Sequence, residues 1–273
     1  MLNQEYYYLI AGLPDIILDD AKPAKDIKQF VADLEEQLSK HDFKLIPALF
    51  WFEDNDNLIN LLFKEKKFSP LGNYTLDQLK EAIEDPSGLP DYIKKFLKEY
   101  DQNPDKSLSQ QQLRLTELML EQILSLNNGF LKDYYMFERI IRNTLTALMS
   151  RLMKRDYENE LIGNEDWVIS LKKSHALDFG LAKTNDIVDR ILKIWHTNDL
   201  YKREKDLDHY RWEWIEQRNF FHYFDIDVIL AYICKLKFAY RWMILDKEKG
   251  KEIFRNTVRK MENSFQDSQI NTL

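Results

Sequence analysis

The chain of 273 residues contains little glycine, little proline and one cysteine, and each scarcity excludes a class of protein. Seven glycines and seven prolines leave little material for tight hairpins or glycine-rich loops, which favours helices. The single cysteine, Cys234, excludes an intramolecular disulfide. It lies in an apolar segment, where a thiol behaves as a small core residue, and a reducing compartment fits it best.

Long uncharged apolar runs and an excess of cations are also missing. No uncharged apolar stretch reaches the roughly 18 residues of a membrane span, and the amino-terminal residues lack the basic start and apolar run of a secretory signal. The sequence therefore predicts a cytoplasmic protein without a direct membrane span. A formal net charge of −7 argues against a nucleic-acid partner, because phosphate binding relies on a concentrated Lys and Arg surface.

Common motifs of catalytic and cofactor-binding sites are absent from the sequence. It contains no G-x-x-x-x-G-K-[ST] phosphate loop, no G-x-G-x-x-G dinucleotide fingerprint, no G-x-S-x-G nucleophile elbow and no H-E-x-x-H zinc helix. We therefore predict a protein that is not an enzyme and that holds no cofactor and no metal.

Apolar residues spaced three and four apart predict a mainly α fold. The predicted helices lie near residues 24–39, 57–63, 75–83, 89–100, 108–126, 130–156, 166–173, 185–196, 200–221, 226–245 and 247–265. Thr75 and Asp91 are the expected caps of the third and fourth helices. Residues 6–14 are aromatic and β-branched, so their sequence is compatible with a strand or with a buried helix.

The helices become longer after Pro104, which indicates a change in architecture. The helices near 108–126 and 130–156 are separated by a short turn and should form an antiparallel hairpin. We predict an amino-terminal helical subdomain at 1–106 and a bundle of long helices at 107–273, with one continuous domain as the alternative.

Residues 209–224 are rich in Trp, Tyr and Arg, the types enriched in interface hot spots. Three interpretations stay open for this stretch, namely packing within the chain, contact with a partner protein, and stacking on nucleic acid. Trp212 and Trp214 point to nearly opposite sides of one helix, because successive residues are about 100° apart. The helix should therefore bridge two packed layers or turn one aromatic face toward a partner. Its partner-binding candidates are Arg211, Trp212, Trp214 and Arg218.

A rival interpretation is a helical enzyme with a carboxylate and histidine site. His209 and Glu213 lie four residues apart on a predicted helix, and His222 follows further along the chain. Glu213 and Glu216 could also act as paired carboxylates in acid–base chemistry. This spacing lacks the closed ligand set that identifies metal sites, so we rank the enzyme below a binding protein.

Three segments resemble a known family, the C subunits (d subunits in eukaryotes) of V-type and archaeal-type rotary ATPases. The opening Tyr6-Tyr-Tyr-Leu-Ile-Ala-Gly-Leu-Pro14 is similar to the start of a bacterial family associated with V-type ATPase genes, where it corresponds to the tyrosine-rich first helix of that subunit. Ile229-Leu-Ala-Tyr-Ile233 and the later Asp246-Lys-Glu-Lys-Gly250 resemble its last long helix and the following turn. Asp133-Tyr-Tyr-Met-Phe-Glu-Arg-Ile-Ile-Arg142 resembles another of its helices.

The resemblance implies an elongated or funnel-like multi-helix bundle of the same type as these C subunits. It implies a non-catalytic central-stalk adaptor of a V-type ATPase that links the rotor shaft subunits to the membrane proteolipid ring, peripheral on the inner face of the membrane. The opening tyrosines Tyr6, Tyr7 and Tyr8 then become further partner-binding candidates. A helical scaffold unrelated to rotary motors is the remaining alternative.

Overall fold

The computed structural model describes residues 5–18 and 26–245. Within these ranges the chain forms twelve α-helices, three short 3-10 helices and no strand, which confirms the mainly α prediction. None of the described helices combines the length and the apolar character needed to cross a bilayer. The helix predicted at 247–265 and the turn at 246–250 lie outside the described residues.

The first part of the chain forms six α-helices. They are α1 at Tyr7–Ala11, α2 at Ile27–Glu35, α3 at Lys40–Phe43, α4 at Trp51–Leu62, α5 at Leu76–Glu84 and α6 at Asp91–Gln102, with 3-10 helices at Ile46–Phe50 and Pro86–Gly88. The aromatic opening is thus helical. Thr75 caps α5 in a capping box with Gln78, as predicted. The predicted cap at Asp91 is wrong, because Pro90 occupies the cap position and Asp91 is the first helical residue.

The second part of the chain forms six more α-helices. They are α7 at Leu108–Ser125, α8 at Gly129–Leu152, α9 at Asp166–Lys173, α10 at Asp186–Trp195, α11 at Leu200–Arg218 and α12 at Ile226–Ile244, with a 3-10 helix at Glu158–Glu160. Helix α8 ends at Leu152, earlier than the predicted residue 156, because Lys154 adopts a left-handed backbone with φ of 55°.

Two hydrophobic clusters form the core, and α8 contributes to both. The larger cluster joins residues of α2, α4, α6, α7, α12 and the first half of α8. The smaller cluster joins α8 from Phe137 onward to α9 and α10. The larger cluster includes Phe96 and Leu115, which lie on opposite sides of residue 106. The predicted division into subdomains at residue 106 remains a prediction. Side chains from both sides of that residue pack in the same core cluster.

A buried carboxylate fastens the segment that follows α4. Asp54 is 1% exposed and accepts hydrogen bonds from the backbone N–H and the side-chain amide of Asn73, at 2.7 and 2.5 Å. A Cβ at Gly72 would lie 2.7 Å from Asp54 Oδ1, so this close approach requires glycine. Burial raises the pKa of Asp54 from 3.8 to about 6, although the hydrogen bonds from Asn73 oppose the increase.

We expect Asp54 to make the protein less stable as the pH rises from about 4 to about 6. Its pKa is higher in the folded state, so folding favours the protonated carboxyl, and that contribution is lost as Asp54 ionises. The loss amounts to about 3 kcal/mol. Denaturant unfolding of the wild type and Asp54→Asn across this range should show a stability difference that changes by about this amount. Exposed Asp77→Asn is the control, and parallel profiles for wild type and Asp54→Asn would contradict the prediction.

Candidate partner-binding surface

Exposed aromatic side chains gather where α1 meets the turn between α11 and α12. The backbone N–H of Tyr6 donates to the carbonyl of Phe224 at 2.6 Å. The rings of Tyr7 and Phe224 pack with their centroids 4.4 Å apart. These contacts hold the first helix against the turn at residues 219–225. We define the aromatic turn surface as the exposed side chains of Tyr7, Tyr8, Phe220, Phe221 and Tyr223.

Polar side chains anchor this turn to the helices around it. Arg218 donates from Nε to Asp133 on α8 at 2.6 Å. Asn219 donates from its amide to the backbone carbonyl of Asp227 at 3.0 Å. Asp225 caps α12, and its carboxylate also lies 2.6 Å from His222 Nδ1. The turn therefore has several fixed attachments to α8 and α12.

The aromatic residues of the same turn point away from the protein. Phe220, Phe221 and Tyr223 are 68%, 81% and 64% exposed. The rings of Phe220 and Phe221 form an edge-to-face pair with centroids 4.9 Å apart. Surface turns usually expose polar groups and bury apolar ones, whereas here the polar groups hold the turn and the aromatic groups meet solvent. Grouped exposed aromatic residues are typical of protein interaction sites.

The three opening tyrosines have different environments. Tyr6 is buried, and its hydroxyl donates to Asp42, so its ring stabilises the fold and is not available to a partner. Tyr7 is 49% exposed and Tyr8 is 97% exposed. The structure therefore retains Tyr7 and Tyr8 as partner-binding candidates and assigns Tyr6 to internal packing.

The two tryptophans of α11 both pack within the chain. Trp212 is 9% exposed, donates from Nε1 to Glu216 at 2.9 Å, and has Lys235 Nζ of α12 at 4.5 Å from its ring centroid. Trp214 stacks on Phe137 of α8, with centroids 4.5 Å apart and the ring planes 6° from parallel. Helix α11 thus bridges two packed layers, with Trp212 against α12 and the partly exposed Trp214 against α8. Contact of either tryptophan with a partner stays a prediction.

Arg211 belongs to a buried charge cluster. Its Nε donates to Glu138 at 2.9 Å, and its Nη1 donates to Asp208 at 3.0 Å. Asp208 is fully buried and also accepts from Arg241 Nη1 at 2.6 Å and from the Trp242 indole at 2.9 Å. Burial raises the pKa of Asp208, while the two arginines act in the opposite direction. The cluster ties α8, α11 and α12 together and engages the Arg211 guanidinium within the chain, while a partner-binding role for Arg211 stays a prediction.

Arg218 is partly exposed and also makes contacts within the chain. Its side chain is 27% exposed and is held by Asp133 at the edge of the turn. A Cβ at Gly129 would lie 3.3 Å from its Nη2, so the first residue of α8 also approaches the guanidinium closely. Arg218 therefore supports the aromatic turn surface and borders it.

The structure does not assemble the carboxylate and histidine residues of the rival enzyme into a metal site. Glu213 Oε2 lies 3.6 Å from Arg190 Nη2. His222 Nδ1 lies 2.6 Å from Asp225 Oδ2 in the turn. Within the described parts of the chain, no three His, Cys, Asp or Glu side chains converge in a manner that could hold a metal ion.

Sequence reasoning did not select Phe220, Phe221 and Tyr223 as site residues. The local signal was present, because four aromatic residues, Phe220, Phe221, Tyr223 and Phe224, stand between Asn219 at the end of α11 and the cap residue Asp225. Aromatic residues between a helix end and the next cap lie in a turn, where little of the chain covers them. That pattern could have identified the turn, although the packing of α1 beside it depends on the fold.

A family comparison covers every residue that the structure describes. The profile of the family described as "Protein of unknown function (DUF2764)" matches residues 3–265. The chain belongs to this family. No curated protein and no solved structure matches the chain. The family match includes both core clusters and the aromatic turn surface, so these features fall within one family unit.

Proposed function

We propose that this chain is a non-catalytic central-stalk adaptor of a V-type ATPase, linking the rotor shaft to the membrane proteolipid ring. In this proposal the helices form an elongated or funnel-like bundle like that of the rotary-ATPase C subunits. The aromatic turn surface carries the proposal of a binding role, since polar anchors hold a turn whose aromatic side chains are exposed. A part that transmits force between two partners needs stiff contact surfaces, and it does not need reactive groups.

The two segments with the strongest resemblance to the rotary-ATPase family contact each other. The backbone N–H of Tyr6 in the opening segment donates to the carbonyl of Phe224, two residues before the start of α12. It also accepts a hydrogen bond from the Tyr232 hydroxyl at the Pro14 carbonyl, at 3.1 Å. The segments therefore form one local unit beside the aromatic turn surface. This proximity supports a shared role in binding, and the identity of the partner comes from the resemblance.

The test is affinity purification of the chain from native membranes, with identification of the recovered proteins. We expect the wild type to recover V-type ATPase subunits and the Phe220→Ala, Phe221→Ala double variant to recover at least tenfold less, as for an aromatic hot spot of about 2 kcal/mol. Both side chains are exposed, so the thermal midpoint should hardly change.

Leu124→Ala is the matched control, because Leu124 is 53% exposed on α7 and lies outside the aromatic turn surface. It should leave the recovery of ATPase subunits unchanged. Absence of ATPase subunits from the wild-type sample would overturn the proposed function. Recovery of other proteins through Phe220 and Phe221 would instead support the helical scaffold unrelated to rotary motors.

A further inference from the structure

His222 is the histidine of the turn that carries the aromatic turn surface, and charged groups contact both of its ring nitrogens. Its Nδ1 lies 2.6 Å from Asp225 Oδ2 and 3.8 Å from Asp227 Oδ2. Its Nε2 lies 3.2 Å from Arg218 Nη1. The side chain of His222 is 29% exposed, so these groups shield much of the ring from water. One imidazole thus connects a cation of α11 with two carboxylates at the start of α12.

The contact with Arg218 determines which nitrogen of the neutral imidazole carries the proton. A guanidinium can only donate, so the hydrogen bond from Arg218 requires an unprotonated Nε2 on His222 that accepts. The proton then lies on Nδ1, which donates to Asp225 at 2.6 Å. Both hydrogen bonds are satisfied together only while the ring is neutral.

The hydrogen bond between Arg218 and His222 spans the two exposed phenylalanines. Arg218 is the last residue of α11, and Phe220 and Phe221 stand between it and His222. The backbone N–H of His222 also donates to the carbonyl of Asn219 at 2.9 Å. The edge-to-face pair of Phe220 and Phe221 lies on this closed turn. The side-chain bond therefore helps to hold the aromatic turn surface in one conformation.

Protonation of His222 places a second donor against Arg218. The imidazolium carries an N–H on both nitrogens, and its charge repels the guanidinium at this short distance. The imidazolium is attracted to Asp225 and Asp227, so it remains beside them. Arg218 remains bound to Asp133 of α8, which accepts from its Nε at 2.6 Å. The bond between Arg218 and His222 is therefore the contact that breaks, because each of the two cations keeps a carboxylate.

We infer that protonation of His222 opens the turn and weakens the binding of a partner protein to the aromatic turn surface. This inference rests on the binding role given to that surface in the proposed function. Histidine is the side chain that ordinarily changes its charge between about pH 5 and 8, so the response falls within the physiological range. With the turn open, a partner must order Phe220 and Phe221 as it binds, and this ordering reduces the affinity.

Asp227 is a second titratable group beside the imidazole. Burial raises the pKa of Asp227, and the charge of Asp225 acts in the same direction, whereas a hydrogen bond from Asn128 opposes the increase. Asp227 faces Nδ1 of His222, while Arg218 faces Nε2. Protonation of Asp227 therefore leaves the bond between Arg218 and His222 in place. A variant without a titratable group at residue 222 separates these two sources of pH dependence.

Hydrogen exchange of the full chain tests the opening of the turn without a partner. The backbone N–H groups of Asn219, Phe220 and His222 donate to carbonyls and should be protected while the turn is closed. We expect their protection, relative to the intrinsic exchange rate at each pH, to fall about fivefold or more between about pH 7.5 and about pH 5.5. His222→Gln keeps an acceptor for Arg218 and does not ionise, so its protection should be the same at both pH values.

Two further variants serve as controls for the exchange measurement. Arg218→Ala removes the bond at every pH, so its turn should be weakly protected at both values. His175→Gln, at an exposed histidine after α9, should keep the pH dependence of the wild type. Protonation of Asp54 stabilises the fold as the pH falls, so it cannot cause a loss of protection. Equal protection of the wild type at both pH values, or the same loss in His222→Gln, would overturn the inference.

Purification from native membranes at the same two pH values tests the effect on binding. We expect the wild type to recover about tenfold less of the ATPase subunits at the lower pH, and His222→Gln to recover equal amounts at both. If the wild type recovers equal amounts although its turn opens, regulation of binding by His222 is wrong. If other proteins are recovered in place of ATPase subunits with the same dependence on His222, the inference holds and the proposed central-stalk function fails.

Discussion

Replacement of Asp208 by alanine is expected to lower the free energy of unfolding by about 3–5 kcal/mol. Asp208 is fully buried and receives hydrogen bonds from Arg211, Arg241 and the Trp242 indole. Alanine removes the anion and leaves these three donors in place. The effect should exceed that of a surface ion pair, because water cannot fully replace the carboxylate in the interior.

The two arginines differ in what remains after the substitution. Arg211 retains Glu138, and its side chain is only 15% exposed, so part of its charge is left uncompensated in the interior. Arg241 retains Glu204 at 2.8 Å and is 41% exposed, so solvent can compensate it more readily. The main cost should therefore arise at Arg211 and at the indole N–H of Trp242.

Denaturant unfolding measures the cost of Asp208→Ala directly. Glu121→Ala is the control, because Glu121 is 60% exposed and its ion pair with Lys95 is long, at 3.4 Å. This control should change the free energy of unfolding by less than about 1 kcal/mol. If Asp208→Ala lowered the free energy of unfolding by no more than Glu121→Ala does, the buried cluster would contribute no more to stability than a surface ion pair.

Local sequence signals predict the helices well where they are amphipathic and capped. Helix α9 lies at the predicted residues 166–173, and Thr75 forms its expected capping box at the start of α5. The same signals do not predict the start of α4, because a buried 3-10 helix at Ile46–Phe50 leads directly into Trp51, its first residue. An apolar segment buried on several sides has no clear period, so its helical start cannot be read from spacing.

The candidate site depends more strongly on contacts between distant residues. Asp208 and Arg241 are 33 residues apart, and the sequence contains no local sign that they pair. Tyr6 and Tyr8 are the same residue type, two positions apart, but they differ in exposure. The Tyr6 hydroxyl donates to Asp42 and its backbone N–H donates to the Phe224 carbonyl, so Tyr6 is buried, whereas Tyr8 is 97% exposed. Residue type therefore identifies candidates for binding, and the packing of α1 decides which of them reach the surface.

We expect Trp212→Ala and Trp214→Ala each to lower the free energy of unfolding by about 3–5 kcal/mol. Trp214 packs against both hydrophobic clusters and stacks on Phe137. Trp212 is 9% exposed and lies beneath Lys235 on the other side of α11. Since both faces of α11 are covered, alanine at either position leaves a cavity within the chain.

The matched comparison is Phe221→Ala, because Phe221 is also a large aromatic residue but is 81% exposed. Under the proposed adaptor function, Phe221→Ala should reduce recovery of ATPase subunits and change the thermal midpoint little, whereas the tryptophan variants should unfold at lower temperature. At temperatures where the tryptophan variants remain folded, they should recover ATPase subunits as the wild type does. A tryptophan variant with an unchanged midpoint and lost recovery would place that residue in the partner interface and contradict its assignment to the core.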